Sequence, residues 1–148
     1  MNDPDSTMAS YERYRHVQAT ANEGNKHALF DALDAANITA VHVEFDGEGD
    51  DGQIGSVIAL RGEDQAILPG TTVTIREIEW RATEAVSAEM KVEDAIETVC
   101  YACLEERHAG WEIDAGAYGE FRFDVAKRTI TLEFNARYTD IHTSNHTF

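Results

Sequence analysis

Polar and hydrophobic residues alternate along the middle of the chain, which is the pattern of half-buried β-strands. The predicted strands are residues 41–45, 54–60 and 72–80. In the first of them, Val41, Val43 and Phe45 alternate with polar residues. The third is rich in β-branched residues and follows a turn at Pro69 and Gly70.

A period of 3.6 residues replaces this alternation over residues 87–108 and predicts the longest helix. Its apolar stripe consists of Val92, Ile96, Val99, Cys103 and Leu104. Before the strands, residues 10–22 and 25–36 predict two shorter helical stretches, because Gly24 interrupts the pattern and Asn25 can cap the second stretch. Asn37 is a suitable left-handed stop for that helix.

The last part of the chain predicts a hairpin. Apolar residues alternate over residues 121–125 and again over residues 130–134, with a turn at Ala126 and Lys127. Together these elements predict an α+β domain: a single antiparallel sheet of about five strands, with a long helix and a shorter N-terminal helical segment packed on one face. One core should join the apolar faces of these elements, with Val41, Val43, Phe45, Ile96, Val99, Phe121, Phe123, Leu132 and Phe134.

The length of 148 residues predicts one domain over residues 9–148, after a disordered N-terminus over residues 1–8. No apolar run approaches the roughly 20 residues that a membrane span needs. The polar and acidic N-terminus is also unlike a secretory signal. We therefore expect a cytoplasmic protein that does not bind membranes, and the sequence leaves its oligomeric state open.

The net charge is the outlying property of the composition. With 28 acidic and 12 basic side chains, the formal charge is −16. Such a potential repels phosphate backbones and lipid headgroups, so direct nucleic-acid binding is disfavoured. Basic protein surfaces and cations remain as partners, although solubility or an organism-wide bias also accounts for acidity.

An acidic, glycine-rich loop between the first two predicted strands is the first candidate site. Its carboxylates are Asp46, Glu48, Asp50 and Asp51. Glycines permit sharp turns, and carboxylate oxygens are the ligands that Ca²⁺ and Mg²⁺ prefer. The spacing misses the EF-hand pattern by one residue, and ordinary hairpin turn chemistry explains the same composition. No resident cofactor is expected, and the alternative is a Ca²⁺ or Mg²⁺ ion in this loop.

A second glycine-rich segment, at residues 114–120, could lie against the first loop. Asp46, Asp50, Asp114 and Glu120 would then converge on one ion, which could activate water. Trp111 and Tyr118 flank this segment, and both are amphipathic aromatic residues suited to an interface. The candidate interface consists of Trp111, Tyr118, Glu44 and Glu120.

Other metal and catalytic patterns are weak. Cys100 and Cys103 share the apolar face of the predicted long helix, which favours core packing over zinc binding. His142 and His146 would align on a helix, but the Thr, Ser and Asn residues around them disfavour one. No nucleophile elbow, phosphate loop, dinucleotide fingerprint or zinc-protease motif is present.

Three sequence strings carry a resemblance to a known family: VEFDGEGDDGQI at residues 43–54, GAYGEFRFDV at residues 116–125 and RTITL at residues 128–132. The chain resembles, over residues 25–148, a family of small acidic proteins of unknown function found in proteobacteria, often on plasmids and prophages. The resemblance implies no particular activity. It favours Asp46 and Asp50 over Glu48 and Asp51 as site residues, because the family tends to have small residues at the latter two positions.

These observations favour a cytoplasmic interaction protein from a mobile element over an enzyme. It would act through its carboxylate-rich surface on a protein partner with a basic surface, with nucleic-acid mimicry as one form of that role. The alternative is a hydrolase that depends on a carboxylate-bound Mg²⁺ or Ca²⁺ ion, or a cation-binding module, with the ion in the loop at residues 46–51.

Overall fold

The computed structural model describes residues 4–48, 51–77, 86–108, 116–136 and 142–148. In chain order the elements are α1 (Pro4–Ala35), β1 (Ala40–Glu48), β2 (Asp51–Arg61), β3 (Asp64–Ala66), β4 (Thr72–Glu77), β5 (Val86–Lys91), α2 (Val92–His108), β6 (Ala117–Asp124), β7 (Thr129–Ala136) and β8 (His142–Thr147).

The main sheet has six strands in the order β3-β2-β1-β6-β7-β8, and each neighbouring pair is antiparallel. The α+β class is thus confirmed, while the prediction of about five strands in one sheet is wrong. The strands β3 and β8 extend the sheet at its two edges. Both edge strands are polar, so an apolar alternation could not reveal them.

The predicted third strand does not belong to the main sheet. It forms β4, which pairs with β5 in a separate two-stranded ribbon. Residues 87–91, which were predicted as the start of the long helix, form β5 instead, and α2 begins at Val92. Ala88, Glu89 and Met90 are good helix formers, so pairing with β4 overrides their local preference.

The predicted break at Gly24 is also wrong, because α1 is continuous over 32 residues and is longer than α2, which has 17. Asn25 does not cap a helix. Its side-chain Nδ2 donates to the Arg76 carbonyl, and its Oδ1 accepts from the Arg76 N–H, each at 2.8 Å. The helix therefore continues through the exposed Gly24, and the side chain of the next residue, Asn25, connects α1 to β4 by hydrogen bonds.

The predicted stop at Asn37 is confirmed. Asn37 has a φ of 60°. The N–H of Ile38 donates to the Leu33 carbonyl at 3.0 Å, and the N–H of Asn37 donates to the Asp34 carbonyl at 2.9 Å. This pair of bonds is a Schellman motif, and the buried Ile38 and Leu33 provide its apolar contact.

Two predictions about the chain's organisation stay predictions. Residues 4–8, within the stretch predicted as disordered, are the first residues of α1, and residues 1–3 lie outside the described residues. The expectation of one domain over residues 9–148 likewise stays a prediction. The predicted end of the long helix at Gly110 also lies outside the described residues.

Both helices cover the same face of the main sheet. All nine predicted core residues are buried, and they belong to one cluster that includes side chains from α1, α2 and the sheet. Phe30 of α1 packs against Phe123 of β6 with ring centroids 5.9 Å apart. The other face of the sheet has no helix on it among the described residues, and its side chains define the candidate site.

Candidate functional site

The uncovered face of the main sheet carries three glutamates in register on three adjacent strands. Glu44 of β1 lies directly opposite Glu120 of β6, which lies directly opposite Glu133 of β7. Residues opposed in this way project their side chains to the same face, with Cβ atoms about 4.5–5.5 Å apart. We call these three residues the glutamate row.

The glutamate row faces solvent because its neighbours along each strand face the core. The apolar residues next to the glutamates along their strands are all buried. They are Val43, Phe45, Phe121, Leu132 and Phe134. Glu44 and Glu133 are exposed, while Glu120 is half-buried. Strand alternation thus holds the three carboxylates on the open face.

One ion pair lies beside the row among the described residues. Arg122, two positions after Glu120 on β6, donates from Nε and Nη2 to the same Glu120 oxygen, at 2.6 and 2.5 Å. Arg122 lies opposite His42 of β1. The row of three carboxylates therefore has one arginine beside it, and the local charge stays negative.

A polar row lies on the other side of the glutamates. Asp46, Tyr118 and Asn135 are in register across β1, β6 and β7. Asn135 is only 6% exposed, and its amide is held by two bonds: Nδ2 donates to the Tyr118 carbonyl at 3.3 Å, and Oδ1 accepts from the Thr143 hydroxyl. These contacts fix the strand register next to the carboxylates.

Two glycines are among the residues that line a depression in this face. A depression of about 420 Å³ is lined by Glu44, Phe45, Asp46, Gly55, Tyr118, Gly119, Glu120, Glu133 and Asn135. At Gly119 a Cβ atom would lie 1.9 Å from the Glu133 carbonyl oxygen and 3.0 Å from the Phe45 ring. The rings of Phe45 and Phe134 stack with centroids 6.1 Å apart. Only glycine permits this close approach of β6 and β7.

A β-bulge shapes the wall of the depression beside Glu44. The pairing of β1 with β2 shifts between Val43 and Phe45, so β2 has one extra residue there, in the stretch that contains Gly55. The hydroxyl of Tyr101 on α2 accepts a hydrogen bond from the N–H of Ile54 at 2.9 Å. The bulge is thus supported from the core side by a side chain of α2.

The structure brings together four of the residues that the sequence singled out. Glu44, Asp46, Tyr118 and Glu120 line the same depression. The two glycine-rich segments are adjacent, since Gly47 pairs with Ala117. Asp50, Trp111 and Asp114 lie outside the described residues, and for Glu48 and Asp51 only the backbone, at the ends of β1 and β2, is described.

Sequence reasoning missed Glu133 and Asn135. Both residues lie on β7 of the predicted hairpin and follow a buried apolar residue. Strand alternation alone therefore predicts that they lie on the outer face. The missing information was the order of the strands, because nothing in the sequence states that β6 lies between β1 and β7.

The described residues contain no group of three or more His, Cys, Asp or Glu side chains placed to hold a metal ion. The carboxylates of the glutamate row extend along a line across the strands instead of surrounding a point. His142 and His146 lie on the strand β8, so they do not align as they would on a helix. Along the described part of the chain, no helix is both long and apolar enough to cross a membrane.

The cysteines are core residues, as predicted. Cys100 is fully buried and Cys103 is 7% exposed, and both are free thiols. Burial, with smaller contributions from nearby acidic groups, raises the pKa of Cys100 well above its ordinary value. Burial and the neighbouring Glu106 raise the pKa of Cys103 to about 12, against a smaller lowering by Lys26. Such thiols are poor nucleophiles and poor metal ligands.

Comparison with known protein families gives a match. The family of unknown function DUF6878 matches residues 21–148, which include β1 to β8 and α2. No curated protein and no solved structure matches the chain.

Proposed function

We propose a function for this chain, which belongs to the DUF6878 family over residues 21–148: it binds a basic protein partner through the open, carboxylate-lined face of its main sheet. The observation that carries the proposal is the glutamate row. Like charges directly opposite each other on neighbouring strands destabilise a sheet. Solubility needs acidic side chains somewhere on the surface, but it does not need them in register.

The surroundings of the row fit a cationic protein surface better than a single ion. The carboxylates of Glu44, Glu120 and Glu133 run across three strands, so they can meet several lysine or arginine side chains at once. Tyr118 in the adjoining row lines the same depression as the three glutamates. The shallow depression lets a partner side chain approach the backbone at Gly119.

The metal-dependent alternative draws less support. A catalytic ion needs ligands that converge from several directions, and the described carboxylates do not form such a group. Asp46 is exposed on the outer face, and Asp50 lies outside the described residues. We therefore propose a binding role in the cytoplasm without a resident cofactor.

Two charge-matched triple variants test the proposal. In the first, Glu44, Glu120 and Glu133 are each replaced by Gln. In the second, Glu63, Glu89 and Glu105 are replaced by Gln; these exposed glutamates lie in the β2–β3 turn, on β5 and on α2. Both variants change the net charge equally. Affinity capture from the host, read by mass spectrometry, identifies proteins bound by wild type and the second variant but not by the first.

The kinetics with such a protein decide the mechanism. Loss of the glutamate row should slow association by about tenfold at low salt and change dissociation less, because complementary charge acts mainly on encounter. The association rate constant of the wild-type chain should also fall as the salt concentration rises from about 50 to 300 mM. If the partner binds nucleic acid, DNA or RNA should compete with this chain. Equal binding by both variants would contradict the proposal.

A further inference from the structure

The outer edge of β8 is the second binding feature of this face. Ile130 and Phe148 exchange both backbone hydrogen bonds, with N···O distances of 2.7 and 3.1 Å. Hydrogen-bonded and non-hydrogen-bonded pairs alternate along an antiparallel ladder. The backbone groups of Thr143, Asn145 and Thr147 therefore point away from β7, and all three residues are exposed.

Nothing in the described part of the chain protects this edge. Natural sheets blunt their edges with short strands, charged side chains, proline or bulges. The opposite edge strand, β3, has three residues, of which Asp64 is charged and exposed. By contrast, β8 has six residues with no Lys, Arg, Asp, Glu or Pro, and its register with β7 contains no shift.

The open edge continues the glutamate row. Asn145 lies opposite Glu133, so it is the fourth position of the row that begins at Glu44. A strand added to β8 would place one side chain opposite Asn145 on the same face. That position is two strand spacings, about 10 Å, from Glu133. An extended lysine or arginine can reach back across Asn145 to the Glu133 carboxylate.

We propose that the basic partner binds as an extended segment, with Lys or Arg at alternate positions, that pairs antiparallel with β8. This inference rests on the proposed function and specifies the form of its ligand. The backbone of the segment would pair with Thr143, Asn145 and Thr147. Its basic side chains would lie on the face that carries the glutamates, so the same residues supply both the cations and the backbone bonds to β8.

Three synthetic peptides test this arrangement on the intact wild-type chain. The parent peptide alternates lysine with threonine. One derivative is N-methylated at every lysine, and the other is N-methylated at every threonine. The two derivatives have the same charge and the same number of methyl groups. Only the lysine-methylated peptide loses the N–H groups that face β8, so it should bind about tenfold or more weakly, while the threonine-methylated peptide keeps most of the parent affinity.

A pair of protein variants gives an independent readout. Asn145→Pro removes one outward N–H, which β7 does not use, so an edge strand can accommodate the change. Asn145→Thr keeps that N–H and serves as the control. Asn145→Pro should weaken binding of the parent peptide, by a smaller factor than methylation of every lysine because only one backbone N–H is lost. The circular dichroism spectrum should be unchanged.

The outcomes separate this inference from the proposed function. Equal binding of both methylated peptides, lost on replacing the glutamate row, would overturn strand addition and leave the acidic face as the docking site. Binding that depends on methylation and Asn145 but not on the glutamates would support strand addition and contradict the proposed function. No binding by any peptide would overturn strand addition. A dimer that Asn145→Pro abolishes would also overturn it, because the edge would then be occupied by a second copy.

Discussion

At the scale of single residues, two glycines have opposite roles. Gly119 lies where β6 and β7 approach closely, and a Cβ atom there would collide with the Glu133 carbonyl. Gly24 lies in the middle of α1, where a Cβ atom would meet nothing within 4 Å. Replacement by alanine therefore has a different physical meaning at each site.

We expect Gly119→Ala to destabilise the protein by about 3 kcal/mol or to prevent folding, because the colliding atom belongs to the backbone. Gly24→Ala should stabilise it by about 0.5–1 kcal/mol, since alanine restricts the unfolded chain and favours the helix. Urea denaturation of both variants measures these changes. Two effects of the same sign would contradict the described geometry at one of the sites.

The pKa of Glu97 in α2 is raised above its ordinary value, first by burial and then by the charges of Asp94 and Glu93. Because the folded state binds this proton more tightly than the unfolded state, ionised Glu97 lowers stability above its folded pKa. That loss is recovered as the pH falls through the folded pKa toward the ordinary value for glutamate.

Glu97→Gln should accordingly stabilise the protein at pH 7 by about half a kcal/mol, the scale of like-charge pairs one helical turn apart. The gain should shrink as the pH falls and vanish below about pH 4. Unfolding free energies of the two proteins across this range provide the measurement. Glu105→Gln, at an exposed position on the same helix, is the control for the loss of one negative charge. An equal gain from both variants at pH 7 would contradict the effect of burial and neighbouring charges at Glu97.

Prediction from sequence was most successful at this scale for buried residues. Alternation and helical spacing identified nine core positions, because the side a residue faces is a local property of its element. The partners of a surface residue are not local. Glu133 became part of the site only through the strand order, which depends on how the whole chain folds.

At the scale of secondary structure, the junction between α1 and the β4–β5 ribbon depends on one amide. Asn25 makes two bonds with the backbone of Arg76, across the edge of β4 that does not face β5. Asn25 is 5% exposed, so water cannot easily replace these bonds. The local sequence pattern favours a capping role for Asn25. It cannot reveal the contact with Arg76, which is 51 positions away in the chain.

Asn25→Ala should destabilise the protein by about 1–3 kcal/mol, because the N–H and the carbonyl of Arg76 both lose their partner. The amide of Arg76 should also exchange its hydrogen faster. Asn22→Ala, one turn earlier on α1 and half-buried, is the matched control and should change stability by less than about 0.5 kcal/mol. Unchanged exchange at Arg76 would contradict the role of Asn25.

Elements whose local propensity agrees with their tertiary role were predicted correctly, as the hairpin of β6 and β7 illustrates. Elements whose local propensity conflicts with their tertiary role were predicted wrongly. The strand β5 consists largely of helix formers, and the helix α1 contains a glycine and an asparagine that favour a break. In both places a contact with another element decides the outcome.

At the scale of the whole molecule, the net charge and the glutamate row act together. A chain at −16 repels itself, and the row concentrates part of that repulsion on three neighbouring strands. Function and stability should therefore oppose each other on this face.

Replacing Glu44, Glu120 and Glu133 by Gln should stabilise the fold by about 0.5–1 kcal/mol at low salt, since two cross-strand repulsions disappear and the loss of the exposed Arg122–Glu120 ion pair offsets only part of that gain. The variant at Glu63, Glu89 and Glu105 should gain less, although its net charge is the same. The difference in stability between the two variants should become smaller as added salt screens the charges. If the two variants have equal melting temperatures at low salt, the alignment of the three glutamates has no effect on stability beyond that of net charge.

The buried cysteines provide a built-in reporter of motion. A maleimide or similar thiol reagent reaches Cys100 only when α2 separates from the core, so the rate of covalent labelling measures how often that separation occurs. No engineered probe is needed, because these are the only two cysteines in the chain. A ligand that binds the folded sheet should slow the labelling, which turns two unreactive thiols into a binding assay for partners not yet purified.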